Sequence, residues 1–222
     1  MAHRRWLIGI VAFAAILHAA GIARTLVPAQ DGLKFLNAAR RFQVDPWVDV
    51  IRGTDQHPLY PALVAAAEPL AVAAFGRGPD AWRIAAQGVS AAASLLTLLA
   101  LFSLARAVFD ERVALVATFL YALLPIPGEV GRDVLANAVG LLGVAASLRF
   151  GAWAIQRDSW RGALASGLAG GLAYTARPEA VLAPVAVALA CGVHILRTRG
   201  VRPLRATFPA PAALGMAVLV CI

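Results

Sequence analysis

The residues with the clearest chemical potential are two aspartates at the starts of expected helices. Asp31 opens Asp31-Gly32-Leu33-Lys34, and Asp133 closes Gly128-Glu129-Val130-Gly131-Arg132-Asp133. A carboxylate within hydrogen-bond reach of a hydroxyl can take its proton as a general base. The structural alternative is an N-terminal acid stabilised by the helix dipole, worth about 0.3–1 kcal/mol, and Asp31 taken alone reads that way. Asn137 lies four residues after Asp133, so on a continuous helix the two would share a face. Arg83 and Arg177 offer planar forks of donors that suit a phosphate. For Arg177, in Ala176-Arg177-Pro178-Glu179, the alternative is an interfacial pair with Glu179. Lys34 is a weaker phosphate candidate, because an intrahelical pair with Asp31 is equally available. His57 is a candidate metal ligand but has no HxxH or HExxH partner pattern, and His18 and His194 are isolated in apolar runs and are poor ligand candidates. Asp45, Asp49 and Asp55 read as solvated loop acids.

These residues must be positioned by membrane-embedded elements. The 222-residue chain is 60% hydrophobic and 14% charged, with mean hydropathy +0.74. A soluble domain is about 45–50% apolar and about 25% charged. A net charge of +8 and a pI of 10.9 would suit nucleic acid in a soluble protein. Here the basic residues cluster between apolar runs, as cytoplasmic loops do, and no nucleic-acid partner is expected. The run Trp6 to Ala23 is long enough to span and too long for a signal-peptide core. Further runs lie at 59–75, 84–105, 113–127, 134–155, 162–176, 178–196 and 206–222. Cys191 and Cys221 both sit inside such runs, which leaves no disulfide framework. Gly167 and Gly171 stand at GxxxG spacing with Gly170 between them, a pattern for close helix packing. Arg149 is read as snorkelling toward the inner end of its helix.

Charge parity sets the expected topology. Basic loops at His3-Arg4-Arg5, Arg106 to Arg112, Arg157 to Arg161 and Arg197 to Arg205 belong in the cytoplasm by the positive-inside rule. An even number of crossings must then separate Arg5 from Arg106. The 59–75 run, short and carrying Pro61, Glu68 and Pro69, is expected to lie on or dip into the outer face. Residues 24–83 become one outer loop within a single transmembrane domain, 1–222. Inside it, Asp31 to Phe42 reads as an amphipathic juxtamembrane helix. Leu33, Leu36 and Ala39 or Arg40 recur at helical spacing beside an apolar stripe of Phe35, Ala38 and Phe42. The chain stops within an apolar run and is expected to be the N-terminal part of a longer protein.

The order of these features resembles the N-terminal half of membrane glycosyltransferases of the GT-C fold, within the protein mannosyltransferase and aminoarabinose transferase group, including bacterial Rgt-like proteins. Asp31 resembles the first acid of the family's outer-loop Asp-Glu pair, with Gly32 replacing the second. His57-Pro58-Leu59-Tyr60 resembles a His-Pro-Pro-Leu-Tyr segment lacking one proline. Asp133 resembles the second-loop acid, and Thr175 to Glu179 a Thr-Arg-Pro-Glu turn with Ala176 interposed. The resemblance implies an all-α polytopic protein of a bacterial inner or plasma membrane. It implies sugar transfer from a polyprenyl-phosphate donor to an acceptor on the outer face. Asp31 would be the base, Asp133 would orient the acceptor or sugar, and Arg177 or Arg83 would stabilise the departing phosphate. Lys34, His57, Tyr60 and Glu179 would complete the substrate contacts. The expected partners are the lipid-linked donor and membrane lipid. No cofactor is required, and a divalent metal is left open. The competing readings are a transporter or flippase component and an inactive fragment or scaffold. Transporters carry midplane charges and repeats, whereas here the charges sit at run ends and no repeat is visible.

Overall fold

The computed structural model describes residues 2–26 and 30–199. The run at 206–222 lies outside the described residues. Helices follow in the order α1 (Ala2–Arg24), α2 (Gln30–Val44), α3 (Trp47–Arg52), α4 (Leu59–Phe75), α5 (Pro79–Val108), α6 (Glu111–Leu123), α7 (Pro125–Val130), α8 (Asn137–Arg157), α9 (Trp160–Tyr174), a 3₁₀ turn (Pro178–Val181) and α10 (Leu182–Arg199). No strand occurs among the described residues. Among the described residues, four segments are long and apolar enough to cross a membrane: His3–Arg24, Pro79–Val108, Asn137–Arg157 and Pro178–Arg197. The protein is an all-α, multi-pass membrane protein.

Its surface is inverted relative to a soluble protein. Ile8, Ile16, Leu96, Val116, Leu189 and Leu196 are exposed, while Gln87, Ser90, Ser94, Thr97, Ser147 and Ser166 are buried. Lipid tails accept apolar side chains at no cost, whereas polar groups in hydrocarbon need protein partners. Thr97 accordingly donates to the Ala93 carbonyl at 2.8 Å.

The chain divides into two compact units. The first comprises residues 1–98 and 118–139. In it, α2 lays Phe35, Leu36, Ala38, Ala39 and Phe42 against its neighbours, and α4 is its main partner. The amphipathic helix expected at Asp31–Phe42 is present, but the buried stripe excludes Leu33, which is 54% exposed. The ring of Phe35 meets Tyr60 edge-on at 5.2 Å, and Phe42 meets Trp47 at 5.1 Å.

Pro69 stands inside α4 and has no N–H for the carbonyl of Ala65. Gln43 of α2 supplies the missing donor: its Nε2 lies 3.2 Å from the Ala65 oxygen and 3.2 Å from Glu68 Oε2. Gln43→Leu is therefore expected to cost about 0.5–1.5 kcal/mol, the net worth of a hydrogen bond to a part-buried carbonyl. In a Pro69→Ala background the helix satisfies Ala65 itself, and the same change should cost measurably less. Thermal unfolding of the four proteins in detergent tests this; equal costs in both backgrounds would refute it.

The second unit comprises residues 99–117 and those from Gly140 on. Small residues let its helices touch. A Cβ on Gly143 would lie 2.3 Å from that of Ala173, and one on Gly170 2.5 Å from Pro184. Gly167 and Gly171 are buried with them. Ser166 donates to the Ser147 carbonyl at 2.8 Å, joining α8 to α9. Arg149 donates to Ser103 Oγ at 2.6 Å, and Gln156 donates to the Ala107 carbonyl, so the C-terminal ends of α5 and α8 lie side by side.

Prolines correct one of the sequence boundaries and explain another that the sequence already placed. The 113–127 run breaks into α6 and α7 because Leu124, before Pro125, takes an extended conformation (φ −66°, ψ 136°). Arg177, before Pro178, is likewise extended (φ −150°, ψ 126°), which separates α9 from the next helix. Asp133 lies in the turn between α7 and α8, and α8 begins only at Asn137, so the two do not share a helix face.

Candidate active site

Asp31 occupies the first turn of α2, where its charge complements the helix dipole. Its side chain is 69% exposed, and Lys34 Nζ stands 3.8 Å from its Oδ1. The same ammonium lies 3.6 Å from Asp55 Oδ2. One cation is thus shared between the start of α2 and the loop that leads to His57. Asp55, read from sequence as a solvated acid, is the partner that spacing did not reveal. A hydrogen bond from the Gln56 side chain is the main reason its carboxyl sits below the usual carboxylate range. Desolvation opposes this, and the Lys34 charge adds a smaller lowering contribution.

His57 is half-buried just before Pro58, the residue that caps α4. Tyr60 is fully buried, so it is not on a cavity wall. Its hydroxyl lies 3.0 Å from the Ala86 carbonyl and 3.1 Å from Ser90 Oγ, both on α5. Ser90 Oγ in turn lies 3.4 Å from the Leu135 carbonyl. Each hydroxyl carries one proton. Three arrangements fit: Tyr60 donates to Ala86 and Ser90 to Tyr60, Tyr60 to Ala86 and Ser90 to Leu135, or Tyr60 to Ser90 and Ser90 to Leu135. The last ties α4 directly to the turn that carries Asp133. Burial holds the Tyr60 phenol well above its ordinary pKa, the hydrogen bond with Ser90 opposes this, and the Asp133 charge raises it further. The turn is thus electrically as well as structurally close to Tyr60.

The Asp133 turn is seated on α1 and α5. A Cβ on Gly131 would fall 2.3 Å from the His18 ring and 2.9 Å from Ser94, so a side chain there would displace the turn. A Cβ on Gly21 would lie 2.8 Å from Arg132. Asp133 Oδ1 accepts the Val134 N–H at 2.7 Å, and Arg132 pairs with Glu129 at 3.6 Å.

Arg83 is committed to structure. Its side chain is 14% exposed. Its Nη1 donates to the Thr25 carbonyl at 3.3 Å and to Gln87 Oε1 at 3.0 Å, and its Nη2 lies 3.2 Å from Asp80. Gln87 Nε2 donates to the same Thr25 carbonyl at 3.0 Å. The guanidinium and the amide together clamp the end of α1 to the start of α5. Gln87 and Ser90 were not singled out from sequence. Their signal was legible, since Gln87, Ser90, Ser94 and Thr97 mark one face of an otherwise apolar helix.

A cleft of about 670 Å³ opens between α2, α4 and the start of α5, with Arg40, Gln43, Glu68, Arg77 and Trp82 among its walls. The Arg40 guanidinium lies 5.6 Å over the Trp82 ring. Arg40 is nine residues beyond Asp31, roughly 14 Å along the helix, so the cleft is separate from the Asp31 cluster.

In the second unit, Arg177 faces Glu179 through two contacts, Nε to Oε2 at 3.2 Å and Nη2 to Oε1 at 3.3 Å. Its side chain is 42% exposed, and its stem packs beside Gly140, whose absent Cβ would lie 3.2 Å away. Among the described residues, no three His, Cys, Asp or Glu side chains converge to hold a metal ion.

A protein-family profile described as dolichyl-phosphate-mannose-protein mannosyltransferase matches residues 57–222. The match begins at His57, so it takes in Tyr60, Arg83, Asp133, Arg177 and Glu179 and leaves Asp31 and Lys34 outside. No curated protein sequence matches the chain.

Proposed function

The chain belongs to the dolichyl-phosphate-mannose-protein mannosyltransferase family, and from that premise we propose that it transfers a sugar from a polyprenyl-phosphate donor to a hydroxyl or amine at the outer membrane face. The finer affinity we propose is with GT-C transferases of the aminoarabinose and Rgt-like group. The observation that carries the reading is the buried cluster in which Ser90 Oγ lies 3.1 Å from the Tyr60 hydroxyl and 3.4 Å from the Leu135 carbonyl. It joins the His57-Pro58-Leu59-Tyr60 segment to the Asp133 turn, two elements far apart in sequence that both fall within the family match.

In the proposed reaction the acceptor oxygen or nitrogen forms a bond to the anomeric carbon. The bond from that carbon to the phosphate oxygen breaks, and its electron pair leaves with the lipid phosphate. Asp31 takes the acceptor proton, and Asp133 orients the acceptor or the sugar. Arg177 is the cation we assign to the departing phosphate, where fixed positive charge lowers the barrier. Arg177 is 42% exposed in its pair with Glu179, whereas Arg83 is 14% exposed and bonded to Thr25, Gln87 and Asp80. Tyr60 and Arg83 are positioning residues, and Lys34, His57 and Glu179 complete the substrate contacts.

The proposed topology makes 24–83 an outer loop that returns to the face it left. Support comes from the Thr25 carbonyl, which accepts from both Arg83 and Gln87. A crossing by α4 would put a hydrocarbon core of about 30 Å between those groups. At 17 residues α4 is about 26 Å long, and Pro69 and Glu68 interrupt its apolar character.

Reconstitution with a polyprenyl-phosphate sugar is expected to yield free polyprenyl phosphate and a glycosylated acceptor in equal amounts. Solute or lipid movement with intact donor would instead favour the transporter reading. In a cysteine-free background, Thr54→Cys and Asp133→Cys should react with an impermeant thiol reagent from one side, and Asp110→Cys from the other. Labelling of positions 54 and 133 from opposite sides would overturn the topology.

A further inference from the structure

We propose that the groove between the C-terminal halves of α5 and α8 binds the phosphate headgroup of an anionic phospholipid, with Arg149 and Arg157 as its cations. The groove encloses about 630 Å³. Arg149, Trp153 and Arg157 recur every four residues along α8, so they form one face, and all three line the groove opposite Ser103 of α5. The inference does not depend on the transferase reading.

Arg149 is eight residues before the end of a spanning helix, about 12 Å of axial rise. A guanidinium at that depth is unfavourable unless its donors are satisfied. It has five N–H donors, and Ser103 Oγ takes the one on Nε at 2.6 Å. Among the described residues no carboxylate pairs with it. The remaining fork points to an acceptor that can enter the bilayer, and a phosphate ester matches its planar geometry. Arg157 lies at the same end of the groove as the basic loops, where the positive-inside rule puts the cytoplasm. Trp153 stands between the two arginines, and Trp rings favour headgroup depth.

Two features favour a lipid over free phosphate. Leu99, Ala146 and Phe150 supply an apolar wall for an acyl chain beside the charged face. The groove also opens within a spanning helix pair. Basic pockets between transmembrane helices on the cytoplasmic side are a recurring mode of anionic headgroup binding. The C-terminal dipoles of α5 and α8 disfavour an anion at this end. Binding therefore depends on the guanidiniums, and losing either should be felt.

The test is native mass spectrometry of the full chain in mild detergent with phosphatidylglycerol or phosphatidylcholine added. The wild type is expected to retain phosphatidylglycerol preferentially. Arg157→Gln should weaken retention about fivefold, and Arg149→Gln with Arg157→Gln roughly 25-fold, taking a similar contribution from each arginine. Arg149→Lys, which keeps the charge but loses the planar fork, should fall between the wild type and Arg149→Gln. Arg157→Gln, at the exposed rim, serves if the double variant fails to insert. Equal retention of both lipids by the wild type, or undiminished retention in Arg157→Gln, would overturn the proposal. Displacement of the lipid by millimolar glycerol phosphate would also overturn it, by showing a site for soluble phosphate.

Discussion

Asp31→Asn is expected to lower sugar transfer by about 10²- to 10⁴-fold, the usual contribution of a positioned general base. Asparagine keeps the size and a hydrogen-bonding oxygen but cannot take the acceptor proton. The folding cost should be small, because the Asp31 side chain is 69% exposed and its Lys34 partner retains Asp55. Exposed pairs of this kind contribute about 0–1 kcal/mol. The expected signature is a fall in kcat with nearly unchanged KM for the donor and unchanged membrane insertion. Asp133→Asn should instead raise the acceptor or donor KM as well as lower kcat, if that residue orients substrate. Full activity of Asp31→Asn would remove it from the mechanism and leave Asp133 as the acid to test. That outcome would also agree with a family match that starts only at His57.

The second large effect is expected at Tyr60, and it should be structural first. Tyr60→Ala empties a fully buried site packed against Phe35. Comparable aromatic truncations cost about 3–5 kcal/mol, enough to unfold a marginal membrane domain. Tyr60→Phe keeps the packing and removes the hydroxyl, with an expected cost of about 0.5–1.5 kcal/mol. Its informative readout is coupling with Ser90→Ala. If the hydroxyls act as a relay to the Leu135 carbonyl, the double variant should lose little more than either single one. Both singles should also increase thiol labelling of Asp133→Cys, because the turn loses its tether. Additive losses with unchanged labelling would mean that Tyr60 fills space without positioning Asp133.

The two arginines proposed from sequence for phosphate separate on inspection, and the reason is physical. Both are preceded by polar turns and followed by apolar helices, so composition treats them alike. Their partners distinguish them. Arg83 meets a backbone carbonyl delivered by the end of α1 and an amide one turn along its own helix. The Thr25 contact is not encoded in local spacing, whereas the Gln87 contact is an i,i+4 pair on one helix. Arg177 meets Glu179 two residues on, a pairing that sequence had already raised as the alternative.

Local chemistry was legible throughout. Apolar run length marked the spanning segments, because a helix must satisfy its own backbone across the hydrocarbon core. The 59–75 run coincides with α4, and the amphipathic pattern after Asp31 coincides with α2. A run end was less legible at Leu124, before Pro125, whereas the break at Arg177 already separated two runs. The restriction a proline places on the residue before it ends a helix without any change in hydropathy.

The amphipathic stretch that opens at Asp31, with its apolar stripe of Phe35, Ala38 and Phe42, is a property of the sequence alone: residue types and a 3.6-residue period are enough to write it down. The tertiary structure decided which acid shares Lys34, which tyrosine disappears into the interior, and which glutamine answers the orphaned carbonyl of Ala65. Those outcomes depend on groups distant in sequence arriving at hydrogen-bonding distance. A buried polar atom takes whatever partner packing delivers, and sequence spacing does not specify that partner.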